Sequence, residues 1–366
     1  MCFYSYKCAI SYRSFLNMGI DNLMKVIQKH APGAIKEYNV TNLEGRKLAI
    51  DANICMYQFQ TAAYGKNASI LVSTTGESTN HLSGLFYRVL NLVTAGIIPI
   101  FIFDGDVPDL KKGEVQKRKE KKKLAKEGYE KAKEDGDTEK MNKLASQSVS
   151  ISKEMFDDAK KLLGLMGIPF LTAPYEAEAQ CSVFCKHKVA FATATEDMDA
   201  LACGSPIMIR DIGSPLSKTK GMVREIRLDK VLQEMGFSMD EFIDMCILLG
   251  CDYSDKIKGI GPVKAHQLIK EHKNIETVLE KLDKKKHPVP DHFPYQEIRD
   301  YFKNPPVLEH EVNTRSLTCR LPDEEGLIKF MVEEKGFERS RIVAGITKLK
   351  KSKGVNNQSK ITSFFC

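Results

Sequence analysis

The chain has 366 residues, enough for one large or two ordinary domains with a real core. Its 42% hydrophobic and 28% charged composition fits a soluble globular protein, and no apolar run is long enough to cross a bilayer as a helix, so no membrane role is expected. The net charge is +7, and a single segment accounts for all of it.

Residues 1–17, MCFYSYKCAISYRSFLN, contain no acid, two basic residues and several aromatics. They read as a mitochondrial-type presequence or as the product of a start assigned too far upstream. A helical pattern (Leu23, Val26, Ile27) opens only at Met18-Gly19. GRKLAIDAN (45–53) is a short apolar strand signal ending in Asp51, and AGIIPIFIFDGD (95–106) is a longer one ending in Asp104. Runs apolar on both faces predict parallel strands covered by helices.

KKGEVQKRKEKKKLAK (111–126) holds nine Lys/Arg against two Glu, so the rest of the chain sums to about zero. A concentrated basic segment predicts a polyanion partner. A solvated helix or a localisation signal is the alternative. Residues 111–160 are polar and helical with a break at 134–137, which predicts a helical hairpin projecting from the sheet. In APYEAEAQC (173–181), Glu176 and Glu178 follow Pro174 at a helix start. Positions i and i+2 point about 200° apart on a helix, yet in a first turn both can reach around the end. Acid enrichment at a helix N-terminus is the alternative.

VAFATATEDMDAL (189–201) begins as a buried strand from Val189 to Ala194 and ends with Glu196, Asp197 and Asp199. It is the third apolar run to stop at an aspartate. In open α/β sheets the ligand site lies at the carboxyl ends of the strands, so three carboxylates should meet at one edge. Two carboxylates ~4 Å apart repel by about 4 kcal/mol at an effective dielectric of ~20. Either one is protonated or a cation sits between them. Oxygen ligands without organised His or Cys favour Mg²⁺ or Mn²⁺.

MDEFIDMCILLG (239–250) is an amphipathic helix leading into Asp252. Gly259-Ile260-Gly261-Pro262-Val263-Lys264 is a glycine turn opening a helix, whose N–H groups suit a phosphate. An ordinary interhelical turn is the alternative. The ten cysteines are scattered and read as reduced core thiols of a cytosolic or nuclear protein; a zinc site from Cys181, Cys185 and His187 is the minor alternative. Beyond about 345 the chain is rich in Lys, Ser and Asn, which predicts a mobile tail. It ends QSKITSFFC, where Ile361, Phe364 and Phe365 share one face of a helical turn, as in a docking peptide.

AIDAN, FIFDG, YEAEAQC, TEDMDALACGS, ILLGCDY and GIGPVKA, in this order, closely resemble the flap endonuclease family of structure-specific nucleases. The likeness runs from Met18 to the C-terminal peptide. It implies an α/β, PIN-like nuclease core with a central, mostly parallel sheet, a helical arch and a helix-two-turn-helix element. The implied layout is an N-terminal extension over 1–17, a nuclease domain over 18–345 and a tail over 346–366. Within the nuclease domain, 18–110 is the N-terminal part, 111–150 the gateway and 151–345 the internal part. The helix-two-turn-helix falls at about 239–272.

By the same resemblance, Asp51, Asp104, Glu176, Glu178, Asp197, Asp199 and Asp252 match the family's metal-binding carboxylates, which hold two Mg²⁺, with Mn²⁺ as a substitute. Lys111 and Arg118 match gateway residues at the scissile phosphate. Tyr57 matches an aromatic that stacks on a base, and Arg88 a residue near the 3′-flap pocket. Gly259, Gly261 and Lys264 belong to the turn that grips duplex DNA and holds a K⁺ ion. Gln358, Ile361, Phe364 and Phe365 match the peptide that binds the sliding clamp PCNA. Where the family has an arginine near the 3′-flap pocket, this chain has Tyr64.

The expected activity is Mg²⁺-dependent 5′-flap endonuclease with 5′–3′ exonuclease action, in Okazaki fragment maturation and base excision repair. The protein is expected to be a monomer on a trimeric clamp in the nucleus, with nucleolus and mitochondrion as further compartments. KRKEKKK (117–123) and KLKKSK (348–353) are the candidate import signals. A clamp-bound structural DNA-binding protein and a small-molecule phosphatase are the competing readings. The first leaves the carboxylates without a use; the second leaves the basic hairpin and terminal peptide unexplained.

Overall fold

The computed structural model describes residues 19–62, 79–213, 221–308 and 317–356. Among them, seven strands form one sheet: β1 (Ile35–Asn39), β2 (Lys47–Asp51), β3 (Ile98–Phe103), β4 (Phe170–Thr172), β5 (Ala192–Ala194), β6 (Ile207–Arg210) and β7 (Met222–Arg227). The lateral order is β1-β7-β6-β5-β2-β3-β4. The run from β4 through β3, β2 and β5 to β6 is parallel, while β7 and β1 are added antiparallel.

The two central strands show why their sequences are apolar throughout. Leu48 and Ile50 of β2 and Phe101 and Phe103 of β3 point to one face, where they pack with Phe86, Leu162 and Leu349 from three helices. Ala49, Ile100 and Ile102 point to the other, against Ala177, Cys181 and Phe184 of the helix Ala177–Lys186. Strands buried on both faces carry no polar alternation. In register, Asp51 lies opposite Ile102 and Ile50 opposite Ala194, so Asp51 and the residues after β3 and β5 leave the sheet at the same edge.

A third apolar cluster joins the first helix (Leu23–His30) to the helices Met239–Leu249, Pro262–His272 and Tyr295–Lys303 through Leu23, Ile27, Phe242, Ala265, Ile269 and Phe302. The basic segment is a helix, Lys112–Glu134, which turns at Asp135–Asp137 into a second helix, Thr138–Gln147. Asp137 caps that second helix by accepting from the Lys140 N–H. No helix of the described residues is long and apolar enough to cross a membrane.

Two expectations are corrected. The strand predicted from Val189 is only Ala192–Ala194, because the preceding residues complete the turn out of the helix ending at Lys186; Lys188 there has φ 59°. The first residues of the tail predicted from 346 are helical, and those beyond 356 lie outside the described residues. A helix runs Arg339–Asn356, and Ile342, Ile346 and Leu349 on its inner face are buried in the core. Apolar spacing of i, i+4, i+7 outweighs the polar composition there.

Candidate active site

The carboxylates converge at the edge to which the parallel strands point. Asp51, the last residue of β2, accepts from the Ile54 N–H at 3.1 Å and from the Thr195 hydroxyl at 3.0 Å. Asp104 directly follows β3 and lines the cleft. Its Oδ1 accepts from the Ala177 N–H at 2.8 Å and its Oδ2 from the Asn53 amide at 2.6 Å. Glu176 is the residue before the helix Ala177–Lys186 and Glu178 lies in its first turn, so the helix end presents both acids to the same cleft. After β5 the chain makes a tight turn in which the Asp199 N–H donates to Asp197 Oδ1 at 2.9 Å. Asp252 arrives from the turn beyond the helix Met239–Leu249. Glu196, inside the same acidic run, turns away and is neutralised by Arg210 at 3.1 Å.

Burial makes this cluster electrostatically costly. It raises the pKa of Asp197 to about 7, with Lys111 pulling down and the charges of Asp252 and Asp51 pushing up. Burial followed by neighbouring acids raises Glu178 and Asp199 well above the carboxylate range, and burial raises Asp51 as well. Two cations offset part of the repulsion. Lys111 Nζ pairs with Glu176 and, at 3.2 Å, with Asp252. Burial disfavours its charge, but Glu176, Asp252, Glu178 and Asp199 outweigh burial and hold its pKa well above the ordinary lysine value. Arg118 Nη2 pairs with Asp252 at 2.5 Å and its Nε with Glu114 at 3.1 Å. Lys111, the residue before the helix Lys112–Glu134, and Arg118 within it bring both cations to the acids, and the same helix walls a cleft of about 310 Å³ through Val115, Lys119 and Lys122. Tyr57 lines that cleft with Lys122 Nζ 5.1 Å from its ring centre.

The donor set suits a hard divalent cation. It is oxygen-rich and carries more negative charge than Lys111 and Arg118 neutralise. Asp199 Oδ1 is buried with no hydrogen-bond partner, and such an atom is expensive unless something positive meets it. Among the described residues no three His, Cys, Asp or Glu side chains are already closed around one point. Several oxygens are directed instead at Lys111, Arg118, Asn53 and Thr195. Cys185 faces Thr193 at 3.3 Å in the core, which leaves the zinc alternative without a ligand set.

Sequence reasoning missed several contributors. Gly19 lies against the acids with φ +72°, and a Cβ there would stand 1.8 Å from Asp197 Oδ1 and 2.4 Å from Asp199 Oδ1. Asn53 and Thr195 orient Asp104 and Asp51; both flank acids in the quoted motifs, which was the available signal. Tyr253 and Tyr301 both donate to Glu176 Oε2, the second at 3.1 Å. Nothing local to Tyr301 points to an acid 125 residues away.

The glycine turn has Gly259 at φ +79° and Gly261 as the residue before the helix Pro262–His272, with Pro262 at its first position. Lys264 Nζ lies 3.2 Å from His287 Nε2, and both line a second cleft of about 260 Å³. Arg88 lies in the core rather than at the surface. It is 4% exposed, and its guanidinium donates to the Ile212 carbonyl at 2.9 Å and to Gln58 at 3.3 Å. Its ring neighbour is Phe59, at 5.1 Å. Its donors are taken up inside the fold by the Ile212 carbonyl and Gln58. Tyr64, residues 1–17 and the terminal Gln358, Ile361, Phe364 and Phe365 lie outside the described residues.

Known proteins share both halves of this arrangement. The family model for the XPG N-terminal domain matches residues 18–125, and that for the XPG I-region matches residues 167–252. Flap endonuclease 1 of Monosiga brevicollis is 48% identical over 353 residues, spanning 95% of this chain and 93% of that protein. Flap endonuclease 1 of Heterostelium pallidum is 45% identical over 348 residues, spanning 95% and 89%. Among solved structures, flap endonuclease-1 from Methanococcus jannaschii superposes with a TM-score of 0.67 at 31% identity, over 88% of this chain and 97% of that one. The catalytic core of Rad2 in complex with a DNA substrate superposes with a TM-score of 0.67 at 25% identity, over 88% and 98%.

Proposed function

The chain belongs to the flap endonuclease family, a nuclease and hydrolase acting on structured DNA, and from that premise we propose how its residues divide the work. The reaction is cleavage of a 5′ flap, with the replication and repair roles typical of the family. The observation that carries the assignment of residues is the convergence of Asp51, Asp104, Glu176, Glu178, Asp197 and Asp252 on the cleft that Lys111 and Arg118 also enter.

The acids, together with Asp199, hold two Mg²⁺, with Mn²⁺ as substitute. When bound, these ions supply Lewis acidity towards the phosphodiester and make water a better nucleophile near neutral pH. Lys111 and Arg118 orient the scissile phosphate and meet the charge that grows on it, the setting in which fixed donors are worth most. Their multiple acid partners keep them protonated and in place. Tyr57 offers a ring for stacking by the base next to the cut. The helices Lys112–Glu134 and Thr138–Gln147 form the gateway for the 5′ strand. Gly259, Gly261 and Lys264 take a duplex phosphate, with K⁺ at the backbone oxygens of that turn. Gln358, Ile361, Phe364 and Phe365 bind the sliding clamp PCNA, one monomer per site on the trimeric ring. The compartment that fits is the nucleus.

The test is incubation of a 5′-flap duplex with and without Mg²⁺, with the products sized. Mg²⁺-dependent cleavage near the single-strand/duplex junction is expected. Binding with no product in any divalent ion would refute the assignment and favour the structural DNA-binding reading.

A further inference from the structure

We propose that Tyr301 is a positioning residue of the nuclease site, fixing one oxygen of Glu176 so that the other stays turned to a cation. Glu176 Oε2 accepts from two phenols, those of Tyr253 and Tyr301, while Oε1 accepts from Lys111. The two oxygens are thus divided between neutral donors and a charged one. A phenol can order a carboxylate without cancelling its charge, which an arginine or lysine in the same place would do.

The support behind Tyr301 is rigid. It sits on the helix Tyr295–Lys303, whose Ile298 and Phe302 are fully buried in the core. Arg299 of the same helix pairs with Asp244 at 2.7 Å and Glu276 at 2.9 Å. Lys303 pairs with Asp240 at 2.9 Å. The Tyr301 ring lies 5.1 Å from that of Tyr253, which packs edge-on to Phe302 at 5.4 Å. Glu176 is therefore reached from a second element, which packs against the turn that carries Asp252 and Tyr253 through the Tyr301 and Phe302 rings. Partners that orient ligating carboxylates typically matter by 10–100-fold in metal affinity or activity.

This inference rests on the nuclease reading of the site, so its test has an arm that needs no cleavage. Tyr301→Phe removes a single oxygen and leaves the ring. Terbium, a luminescent stand-in for a hard divalent ion, is titrated into the full chain. The variant should need about tenfold more terbium for half-saturation and should cleave a 5′ flap about tenfold more slowly in single turnover at limiting Mg²⁺. Flap affinity in EDTA should stay within about twofold of wild type, which separates positioning from substrate binding. Tyr295→Phe, on the same helix but packed on Phe293, should change neither readout. In a Glu176→Gln background Tyr301→Phe should add nothing, since it acts through that carboxylate. An unchanged terbium titration, or an effect that persists undiminished in the Glu176→Gln background, would overturn the proposal. Absence of flap cleavage by the wild type would instead strike the nuclease reading and leave the terbium result to stand or fall separately.

Discussion

Replacing Gly19 by alanine tests how tightly the site is built. A Cβ at this position would lie 1.8 Å from Asp197 Oδ1 and 2.4 Å from Asp199 Oδ1. Carbon and oxygen need roughly 3 Å or more, so the Asp197 carboxylate must retreat by about 1 Å. Asp199 moves with it, because its N–H is bonded to Asp197 Oδ1. A misplacement of about 1 Å is enough to cost on the order of 100-fold in rate. The backbone adds a smaller term: at φ +72° an alanine costs about 1–2 kcal/mol, which lowers the melting temperature by a few degrees at most. Single-turnover cleavage of a 5′ flap should therefore fall about 100-fold while flap binding in EDTA persists. Gly136→Ala separates the two terms. Gly136 has φ +70° but open space around its Cβ position, so that variant should carry the strain and retain the rate. Cleavage by Gly19→Ala within about threefold of wild type would refute the claim that the first described residues wall the acid cluster.

Lys111→Ala and Arg118→Ala should each slow single-turnover cleavage at saturating flap by about 100-fold, with Lys122→Ala under about threefold; wild-type rates for all three would dismiss the gateway cations. In EDTA the melting temperature should fall between pH 5 and pH 8. The Asp197 pKa is raised to about 7, so the folded state holds its proton where the unfolded chain has lost it, and stability declines until that pKa is passed. Asp197→Asn should lessen this decline, with Asp104, which burial also raises to about 7, contributing to the remainder, and divalent ion should offset it most at pH 8; differential scanning fluorimetry showing stability rising with pH in EDTA, equally in both proteins, would contradict the argument. Phe364→Ala with Phe365→Ala should abolish calorimetric binding to the clamp, since each aromatic anchor can carry about 2 kcal/mol or more, and should leave cleavage of a free flap unchanged; unaltered clamp affinity would reject the docking peptide.

The sheet edge was legible because its signal is local. Asp51, Asp104 and Asp197 each terminate or closely follow an apolar run, and the parallel order then aligns them. The Glu176/Glu178 pair was ambiguous on spacing alone; the helix-start geometry resolves it. What the sequence hid were contacts between distant segments. Tyr301 reaches Glu176 from a helix that reads as ordinary amphipathic packing. Gly19 is silent because a missing side chain leaves no chemical signature until its neighbours are known. The burial of Arg88 was equally hidden, since an arginine's default place is the surface and only the fold reveals its buried acceptors. The terminal helix was underestimated because three well-spaced apolar residues were diluted by lysines.

The hairpin of Lys112–Glu134 and Thr138–Gln147 supplies none of the seven acids, and it closes on a small seam of its own in which Ala125, Ala132 and Ala145 are buried. Its root is fastened to the acid cluster by Lys111 and Arg118. The outer hairpin and the acids thus lie on separate stretches of chain, joined at Lys111 and Arg118 and, along the same helix, by Lys117 to Asp255 and Lys122 over Tyr57. If the hairpin is the gateway proposed above, exchanging its outer part, beyond Lys122, for a longer or narrower sleeve should change which strands are let through while these contacts at its root stay as they are.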